Sequence, residues 1–354
     1  MTSDPAAQRT PPQRLLFVRT DRLGETLLTL PTLRALREAW PACRLILCVQ
    51  PALAELLRPH PDAQELHAEP EPDAAWWQRA WRLGRRWRAW QADAVLIANP
   101  KKEYHAAAWL AGIPRRVGYD RKWGGLLTDR LDDRKALGDR HEVQYNLDLL
   151  SALGVAIPRV PEVRLLVDPD VDQDMARRLE RLPRSRRLGS EEWLPRRLAG
   201  LTSDHLLAVH PWASTPTKCW PASRFRALMR RLHTERHVRL LLVGGREHQH
   251  EAKELARDLP GVTDWTGQLS LPQLAGCLRH VRLLVSNDSG PMHVAAAVGT
   301  PTIALFGTTD PAAGPRRWGP WGQGHSVIHQ PSMDAISVQD VFQSTTHSLS
   351  QSVR

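Results

Sequence analysis

The sequence has few of the residues on which metal and disulfide frameworks depend. Its 354 residues include only four cysteines, and no two of them form a Cys-x-x-Cys pair. Structural zinc and a disulfide scaffold are therefore not expected, and a reducing compartment fits better. No window holds about 18 uninterrupted apolar residues, so we predict no membrane-spanning helix. The segment from Met1 to Gln13 is polar and Pro-rich, and we expect no signal peptide there.

Two aromatic residue types are also scarce, with 4 Phe and 3 Tyr, whereas Trp occurs 14 times. The 48 Lys and Arg residues outnumber the 38 Asp and Glu residues, which gives a net charge of +10. Such a balance favours acidic partners, among them phosphorylated substrates, nucleic acid and anionic lipid, without choosing among them. The length fits two domains of middling size.

Short apolar runs alternate with amphipathic stretches, a pattern typical of parallel sheets covered by helices. The alternation fails over about residues 168–205 and then restarts. We therefore predict an α/β fold of two Rossmann-like domains facing a cleft, where ligands of such folds bind. The predicted boundaries are a flexible N-terminus (1–13), an N-terminal domain (14–182), a linker (183–204), a C-terminal domain (205–343) and a frayed tail (344–354).

Two loops of the second half each connect a predicted strand to a predicted helix. The first runs from Ser286 to His293, where Gly290 lets a ligand approach the backbone and the helix N-terminus attracts anions. A plain helix cap is the alternative function of this segment. The second runs from His210 to Pro221, and its hydroxyl residues with Lys218 suit a diphosphate.

A third loop, from Arg19 to Glu25, connects the first predicted strand to its helix. It lacks the Gly-x-Gly-x-x-Gly fingerprint, which argues against an NAD-dependent oxidoreductase. Glu25 at the start of a helix either stabilises the helix terminus or serves as a general base.

Together, the three motifs resemble glycosyltransferase family 9, the ADP-heptose:lipopolysaccharide heptosyltransferases. The resemblance covers about residues 14–325 and is carried by Leu23-Gly24-Glu25, by His210 to Pro221 and by Asn287 to His293, with weaker matches at 115–119 and 141–143. It implies the GT-B architecture, in which the N-terminal domain takes the acceptor and the C-terminal domain takes the sugar nucleotide.

The resemblance also implies roles for individual residues. Glu25 would be the catalytic base, although the family more often has Asp at this position. Trp212 stands where Gly is commoner in the family, and Cys219 where Arg is usual. The implied donor-binding residues are Ser214, Thr215 and Lys218 for the diphosphate, Glu247 for the nucleoside, and Asp288, Ser289, Gly290 and His293 for the sugar and phosphates.

The implied reaction is a single inverting displacement that moves a heptose from an ADP-activated donor to a lipopolysaccharide core acceptor. It would take place in the cytoplasm, at the inner face of the inner membrane, without a cofactor or a metal. The acidic run from Asp168 to Asp174 does not make a calcium loop, because Gln173 and Leu179 stand where Gly and Glu belong. We predict a capped, charged helix start there instead.

One further feature is the segment from Trp76 to Trp90, in which Trp and Arg residues occupy different sides of a predicted helix. It is either a packed helix with a solvated basic face or a surface for the acceptor or a membrane, formed by Arg79, Arg82, Arg86 and Trp87. Interleaved Arg and Trp could also stack nucleic-acid bases.

Two alternatives to the heptosyltransferase function stay open. One is another family 9 transfer that uses a different sugar nucleotide or glycan acceptor. The other is a non-catalytic binder of acidic polymers, which the net charge of +10 and the Arg/Trp helix would suit. Nucleic acid is not an expected partner, because the positive charge is spread over both domains and no nucleic-acid motif is present.

Overall fold

The computed structural model describes residues 10–69, 74–157, 159–182 and 206–351. The chain forms two compact units, Met1–Leu166 and Val167–Arg354. Most of the predicted flexible N-terminus (1–9) and the whole predicted linker (183–204) lie outside the described residues. We find no helix among the described residues with both the length and the apolar character needed to cross a membrane.

The first unit contains a six-stranded parallel sheet in the order β3-β2-β1-β4-β5-β6. Its central strands are continuous apolar runs buried on both faces, as parallel sheets covered by helices require. Strands β2 and β3 lie on one side of β1, and β4, β5 and β6 lie on the other. The strand order therefore reverses between β1 and β4. The strands are Arg14–Val18 (β1), Arg44–Val49 (β2), Glu65–Ala68 (β3), Ala94–Ile97 (β4), Arg115–Tyr119 (β5) and Asp129–Leu131 (β6).

In the described part of this unit, six α-helices connect and cover these strands. The last of them begins with a capping box in which the His141 side chain accepts from the Val143 amide and Gln144 bonds back to the His141 amide. The helices are Leu23–Leu27 (α1), Leu30–Ala39 (α2), Pro51–Leu57 (α3), Trp76–Ala89 (α4), Lys102–Leu110 (α5) and Glu142–Leu153 (α6), with 3-10 turns at Gly124–Leu126 and Lys135–Leu137.

The Trp-rich helix α4 departs from one prediction. Trp87 is fully buried in the core of the first unit, beside Leu83 and Tyr104. Arg79 is also buried, and its guanidinium is 3.3 Å from carboxylate oxygens of both Glu69 and Glu103. The assignment of Trp87 and Arg79 to an exposed acceptor or membrane surface is therefore wrong, whereas Arg82 and Arg86 are exposed.

The second unit repeats the design with a parallel sheet in the order β12-β11-β10-β7-β8-β9. Here the strand order reverses between β7 and β10, which pair in parallel with His210 beside Ser286. The strands are Leu206–His210 (β7), Arg239–Leu242 (β8), Val262–Asp264 (β9), Leu283–Asn287 (β10), Thr302–Gly307 (β11) and Ser326–Gln330 (β12).

The helices of this unit cover both faces of its sheet. Gly307, at the end of β11, allows a close backbone approach, because a Cβ there would lie 2.1 Å from the amide nitrogen of Met333. The helices are Pro169–Glu180 (α7), Ala222–Arg236 (α8), Gln249–Ala256 (α9), Leu271–Arg279 (α10), Gly290–Ala297 (α11), Pro315–Trp318 (α12) and Val338–Gln351 (α13), with 3-10 turns at Pro216–Lys218, Arg246–His248, Pro311–Ala313 and Met333–Ala335.

Helix α7 changes the predicted domain boundary. It packs on α10, where Gly276 leaves room for the side chain of Met175, so it belongs to the second unit and not to the first. Its start is capped as predicted, because an Asp168 carboxylate oxygen accepts from the amides of Asp170 and Val171.

The prediction of a frayed tail over residues 344–354 is also corrected by the structure. Helix α13 continues through residues 344–351, and Thr345 and Leu349 are buried against the second unit. The Thr345 hydroxyl donates to the carbonyl of Val341 one turn earlier, which satisfies this buried polar group within the helix.

Candidate active site

Two of the predicted site loops meet in the second unit. The loop 211–220 follows β7, and the loop that begins at Asp288 follows β10. Because β7 and β10 are adjacent and parallel, both loops leave the sheet at the same edge, where the strand order reverses. This is the position at which open α/β sheets bind ligands. The fold thus brings together two motifs that are far apart in sequence.

Asn287, the last residue of β10, ties the two loops together. Its side-chain nitrogen donates to the carbonyl of Pro211 at 2.7 Å, and its side-chain oxygen accepts from the amide of Trp220 at 3.1 Å. Asn287 is fully buried, so each bond replaces one that water would otherwise make. The sequence prediction omitted this residue, although an amide that ends an apolar strand was the available signal.

The central contact is an ion pair between Lys218 and Asp288. The ammonium nitrogen lies 2.5 Å from a carboxylate oxygen of Asp288, whose side chain is 10% exposed, whereas that of Lys218 is 35% exposed. Burial raises the pKa of the Asp288 carboxyl above its ordinary value, and the ammonium of Lys218 opposes that rise. The pair therefore fixes a partly exposed cation at the end of the sheet.

Helix α11 begins beside this pair and has no side-chain cap. Ser289 is the N-cap residue, but its hydroxyl bonds to the Nδ1 of His210 at 3.1 Å and to the hydroxyl of Ser286 at 3.0 Å. Neither Ser289 nor Asp288 therefore caps the helix with its side chain. The first N–H groups of α11, those of Gly290 and Met292, keep the partial positive charge that attracts anions, whereas Pro291 has no N–H to contribute.

The remaining residues of the predicted donor site differ in exposure to solvent. Ser214 and Thr215 are exposed on the loop after β7, and the Thr215 hydroxyl is 3.2 Å from that of Thr217. Cys219 donates its thiol to the carbonyl of Thr215, and burial raises the pKa of that thiol. His293 is buried on α11, with only 4% of its surface exposed.

Trp212 fills the space beside the loop that follows β8. Its ring stacks on that of His248 with centroids 4.7 Å apart, and its indole nitrogen donates to Glu251 at 2.7 Å. A Cβ at Gly244 would lie 2.5 Å from the Trp212 ring, so only glycine fits there. Glu247 follows on the same loop with 71% of its side chain exposed, and its carboxylate is 3.5 Å from a nitrogen of His248.

His210 gives this site a pH dependence. Burial, with a smaller effect of His248, lowers the pKa of its imidazole to about 3. The folded state therefore keeps this group neutral at pH values where the unfolded chain, with a pKa near 6.5, takes up a proton. Stability should fall as the pH decreases below about 6.5, by up to about 1.4 kcal/mol per pH unit.

Urea unfolding of wild type and His210→Gln between pH 7 and pH 4.5 measures this effect. We expect the stability advantage of wild type to shrink steadily over that range. His347→Gln, which removes an exposed imidazole, is the matched control. A constant difference between wild type and His210→Gln would show that the buried imidazole does not cause the acid sensitivity.

The predicted base lies in the first unit. Glu25 is half-buried in the first turn of α1, and among the described residues no side chain forms a hydrogen bond or ion pair with its carboxylate. The N-cap position of α1 is occupied by Arg22, which makes no side-chain cap. Glu25 therefore presents an unengaged acceptor at the carboxyl end of β1, next to the place where the strand order reverses.

A buried polar network holds the loop that carries Glu25. Asn99, just after β4, donates to the hydroxyl of Thr20 and to the carboxylate of Asp21, both at 3.0 Å. The Thr20 hydroxyl is also 2.6 Å from that of Tyr104. These bonds connect the carboxyl ends of the adjacent strands β1 and β4 and fix the path of the chain toward α1.

Arg19 also holds this loop in place. Its buried guanidinium donates to the side chain of Asn146 at 3.2 Å and to Glu142 at 3.4 Å, and lies 3.3 Å from Asp21. Lys135 approaches the same Glu142 oxygen at 2.6 Å. The loop is thus held by a charge network that sequence reasoning did not identify, since its members are spread over more than 120 residues.

Within the described part of the chain, no group of three or more His, Cys, Asp or Glu side chains has the arrangement of a metal site. The charged side chains on the loops after β7 and β10 are those of Lys218 and Asp288, and the carboxylate of Glu247 lies on the separate loop after β8. The site therefore offers one cation, a helix N-terminus and small hydroxyl residues, which together suit an anionic ligand.

Comparison with known proteins gives a consistent result. The model of glycosyltransferase family 9 (heptosyltransferase) matches residues 80–344. Lipopolysaccharide heptosyltransferase 3 of Escherichia coli is 26% identical over 307 residues, which cover 84% of this chain and 83% of that protein.

Solved structures show the same fold. A glycosyltransferase family 9 protein from Veillonella parvula matches with a TM-score of 0.80 at 20% identity, over 96% of this chain and 98% of its own. The ADP-heptose lipopolysaccharide heptosyltransferase II of E. coli matches with a TM-score of 0.76 at 20% identity, over 96% and 99%. The predicted GT-B fold class of two parallel α/β units and the predicted family are confirmed: the chain belongs to glycosyltransferase family 9 and is a glycosyltransferase of the heptosyltransferase type.

Proposed function

We propose that this enzyme transfers a heptose from an ADP-activated donor to a lipopolysaccharide core acceptor by a metal-independent inverting displacement. The observation that carries the proposal is the Lys218–Asp288 pair beside the uncapped start of α11. A donor diphosphate needs a cation and amide donors at one place, and this strand edge supplies both. The names of the heptosyltransferase relatives support the choice of sugar.

In this mechanism the second unit binds the donor and stabilises its leaving group. Negative charge grows on the nucleotide diphosphate as the bond to the anomeric carbon breaks. The ammonium of Lys218 and the N–H groups of Gly290 and Met292 meet that charge, and they are held in place before the reaction. Ser214 and Thr215 add hydroxyl donors to the diphosphate, and Glu247 accepts from the nucleoside. Asp288, Ser289 and His293 position the sugar and phosphates.

Glu25 in the first unit is the proposed general base. It takes a proton from the acceptor hydroxyl, whose oxygen then attacks the anomeric carbon from the side opposite the leaving nucleotide. A half-buried carboxylate without a competing hydrogen bond can accept that proton. The network around Arg19 and Asn99 holds the loop and so preserves the direction of the carboxylate.

We place the enzyme in the cytoplasm at the inner face of the inner membrane, because a lipopolysaccharide precursor is lipid-bound.

A transferase that uses a different sugar nucleotide is the second candidate function, and one observation favours it. Trp212 and Cys219 stand at family positions that usually hold Gly and Arg, and the Trp212 ring occupies the space above Gly244. Both residues lie on the proposed phosphate loop, where they can change donor preference.

Thermal stabilisation by a panel of nucleotide diphosphates and their sugar conjugates tests the donor assignment. ADP and ADP-heptose should raise the melting temperature, because a ligand present at 100 times its Kd adds about 2.7 kcal/mol of stability. UDP and GDP at equal concentration are the controls. Stabilisation by another nucleotide, with none by ADP, would select the second candidate. Stabilisation by none of them would indicate a non-catalytic binder.

A further inference from the structure

The first unit has more exposed tryptophan than its folding requires. The side of α4 that faces the sheet already fills the core with Ala80, Leu83 and Trp87. Other tryptophans of α4, of α5 and of the loop after β5 nevertheless face solvent. They are Trp77 (58% exposed), Trp81 (53%), Trp109 (56%) and Trp123 (44%). Large apolar side chains clustered on a surface in this way mark an interaction site.

These tryptophans form one continuous surface, which we call the Trp platform and define as Trp76, Trp77, Trp81, Trp109 and Trp123. Four of them line a shallow depression of about 280 Å³, and the rings of Trp76 and Trp123 meet edge to face at 4.8 Å. Trp77 also lines a second, open depression of about 690 Å³ together with Trp81 and Arg82. The two depressions share Trp77 and Leu110.

Positive charge borders the Trp platform. Helix α4 contains five arginines and no acidic residue, and of the five only Arg79 is buried. The Arg85 guanidinium lies 4.8 Å from the centre of the Trp81 ring, and the Lys102 ammonium lies 4.7 Å from that of Trp76. The carboxylate of Glu103, on the neighbouring helix, is engaged by Arg79. The described surface around the platform therefore combines indole rings with cations.

We propose that the Trp platform docks the enzyme on an anionic lipid bilayer. Indole rings partition to the boundary between headgroups and acyl chains, where one end of the ring is apolar and the N–H stays wet. Arg and Lys at the rim can rest their aliphatic stems on that boundary while their charges meet lipid phosphates. This role rests on the proposed function, since a lipid-borne acceptor gives the enzyme a reason to reach the membrane.

Charge favours a bilayer over a second copy of the chain as the occupant. Two copies facing each other across the Trp platform would bring the arginines of both α4 helices together, and like charges would oppose the contact. An anionic bilayer gains from the same arginines, by about 1 kcal/mol for each cation near the surface. The platform is also shallow and open, which suits a planar surface.

Vesicle co-sedimentation of the full-length protein tests the proposal. We expect binding to vesicles of phosphatidylethanolamine with phosphatidylglycerol and little binding to phosphatidylcholine alone. Trp77→Ser/Trp81→Ser should lower the partition coefficient by at least about tenfold, because the variant has two fewer large apolar side chains to bury in the bilayer. Leu137→Ser/Val327→Ser, which removes exposed apolar side chains elsewhere, is the matched control and should bind as wild type does.

A second pair of variants tests the charge. Arg82→Gln/Arg85→Gln should weaken binding about 25-fold, which corresponds to about fivefold for each cation. Arg58→Gln/Arg316→Gln removes the same net charge from exposed positions outside the Trp platform and should have a small effect. Equal losses in the two pairs would mean that net charge alone attracts the vesicles, and the platform would lose its role.

Two further measurements separate the possible failures. Sedimentation equilibrium without lipid should show the same oligomeric state for wild type and Trp77→Ser/Trp81→Ser. A wild-type dimer that the variant dissociates, together with no vesicle binding, would assign the Trp platform to a second copy. The variant should also keep the stabilisation by ADP seen in wild type. If ADP does not stabilise wild type, the proposed donor is wrong, but the result of the vesicle experiment still stands.

Discussion

Glu25→Gln should lower the rate of sugar transfer by roughly 100- to 10,000-fold, the usual contribution of a positioned general base. The amide keeps the shape of the side chain but cannot accept the acceptor proton. Glu25 makes no hydrogen bond or ion pair with the described residues, so the substitution breaks no observed contact. Turnover with saturating donor and acceptor, measured beside the melting temperature, gives the effect.

The alternative role of Glu25 predicts the opposite pattern. If the carboxylate only stabilises the start of α1, Gln should cost about 0.3–1 kcal/mol of stability and leave turnover nearly unchanged. Glu25→Asp is the conservative control, and it should retain much of the activity because the family ordinarily has Asp at this position. A Gln variant that turns over at the wild-type rate would remove Glu25 from the mechanism.

Lys218→Met should weaken binding of the nucleotide sugar by about 10- to 150-fold, since a hydrogen bond to a charged group contributes about 1.5–3 kcal/mol. Asp288→Ala should also weaken it, because Asp288 holds Lys218 in place and is itself a proposed contact of the donor. Calorimetric titration with the nucleotide sugar measures both effects. Lys253→Met, which removes an exposed cation of α9, is the control for net charge.

A double variant distinguishes direct contact from structural pairing. Lys218→Met alone leaves Asp288 buried without its cation, and burial already raises the pKa of that carboxyl. Lys218→Met/Asp288→Asn removes both charges and so relieves that penalty. Asp288→Asn alone is the reference, because Asp288 is itself a proposed contact of the donor. If Lys218 contacts the diphosphate, the double variant binds the donor more weakly than Asp288→Asn does. Equal affinity of the two would show that Lys218 only neutralises Asp288.

The central strands were predictable because they are buried on both faces. The apolar runs at 14–19, 44–49, 94–98 and 205–210 predict strands, and their bounds differ from those of β1, β2, β4 and β7 by at most one residue. The edge strands were not predicted, because an edge strand is short and only partly buried. The three residues of β9 are all half-buried, and the five of β12 alternate between half-buried and exposed. Such patterns do not differ from those of loops.

Helix bounds failed where a local effect interrupted the periodicity. The amphipathic pattern over 25–39 predicts one helix, whereas the structure has two, α1 and α2, because Pro31 lacks the amide needed to continue the first. The composition of the tail suggested fraying, yet Val341, Thr345 and Leu349 recur every four residues and form the buried side of α13. That spacing was present in the sequence, and the abundant Ser and Thr residues hid it.

The site was predictable as a set of loops but not as a set of contacts. Strand-to-helix junctions placed Glu25, Lys218 and Asp288 at carboxyl ends of strands. The ion pair of the last two depends on β7 and β10 being neighbours, which only the sheet order establishes. The sequence could mark Asn287 as an amide at the end of an apolar strand, but its two partners depend on the packing of the second unit. The burial of Trp87 depends likewise on the packing of the first unit.

The way Glu142 is shared between two cations constrains how this chain can diverge. Removing Glu142 first would deprive both Arg19 and Lys135 of a buried carboxylate, a change that costs about 3–5 kcal/mol for one broken buried pair. Replacing Lys135 first would leave Glu142 still paired with Arg19, and that step is cheaper. The order in which Glu142 and Lys135 are replaced therefore matters, even when the final sequence is the same. Mutational paths through this cluster should begin at Lys135, and a library that varies Glu142 alone should recover few folded variants.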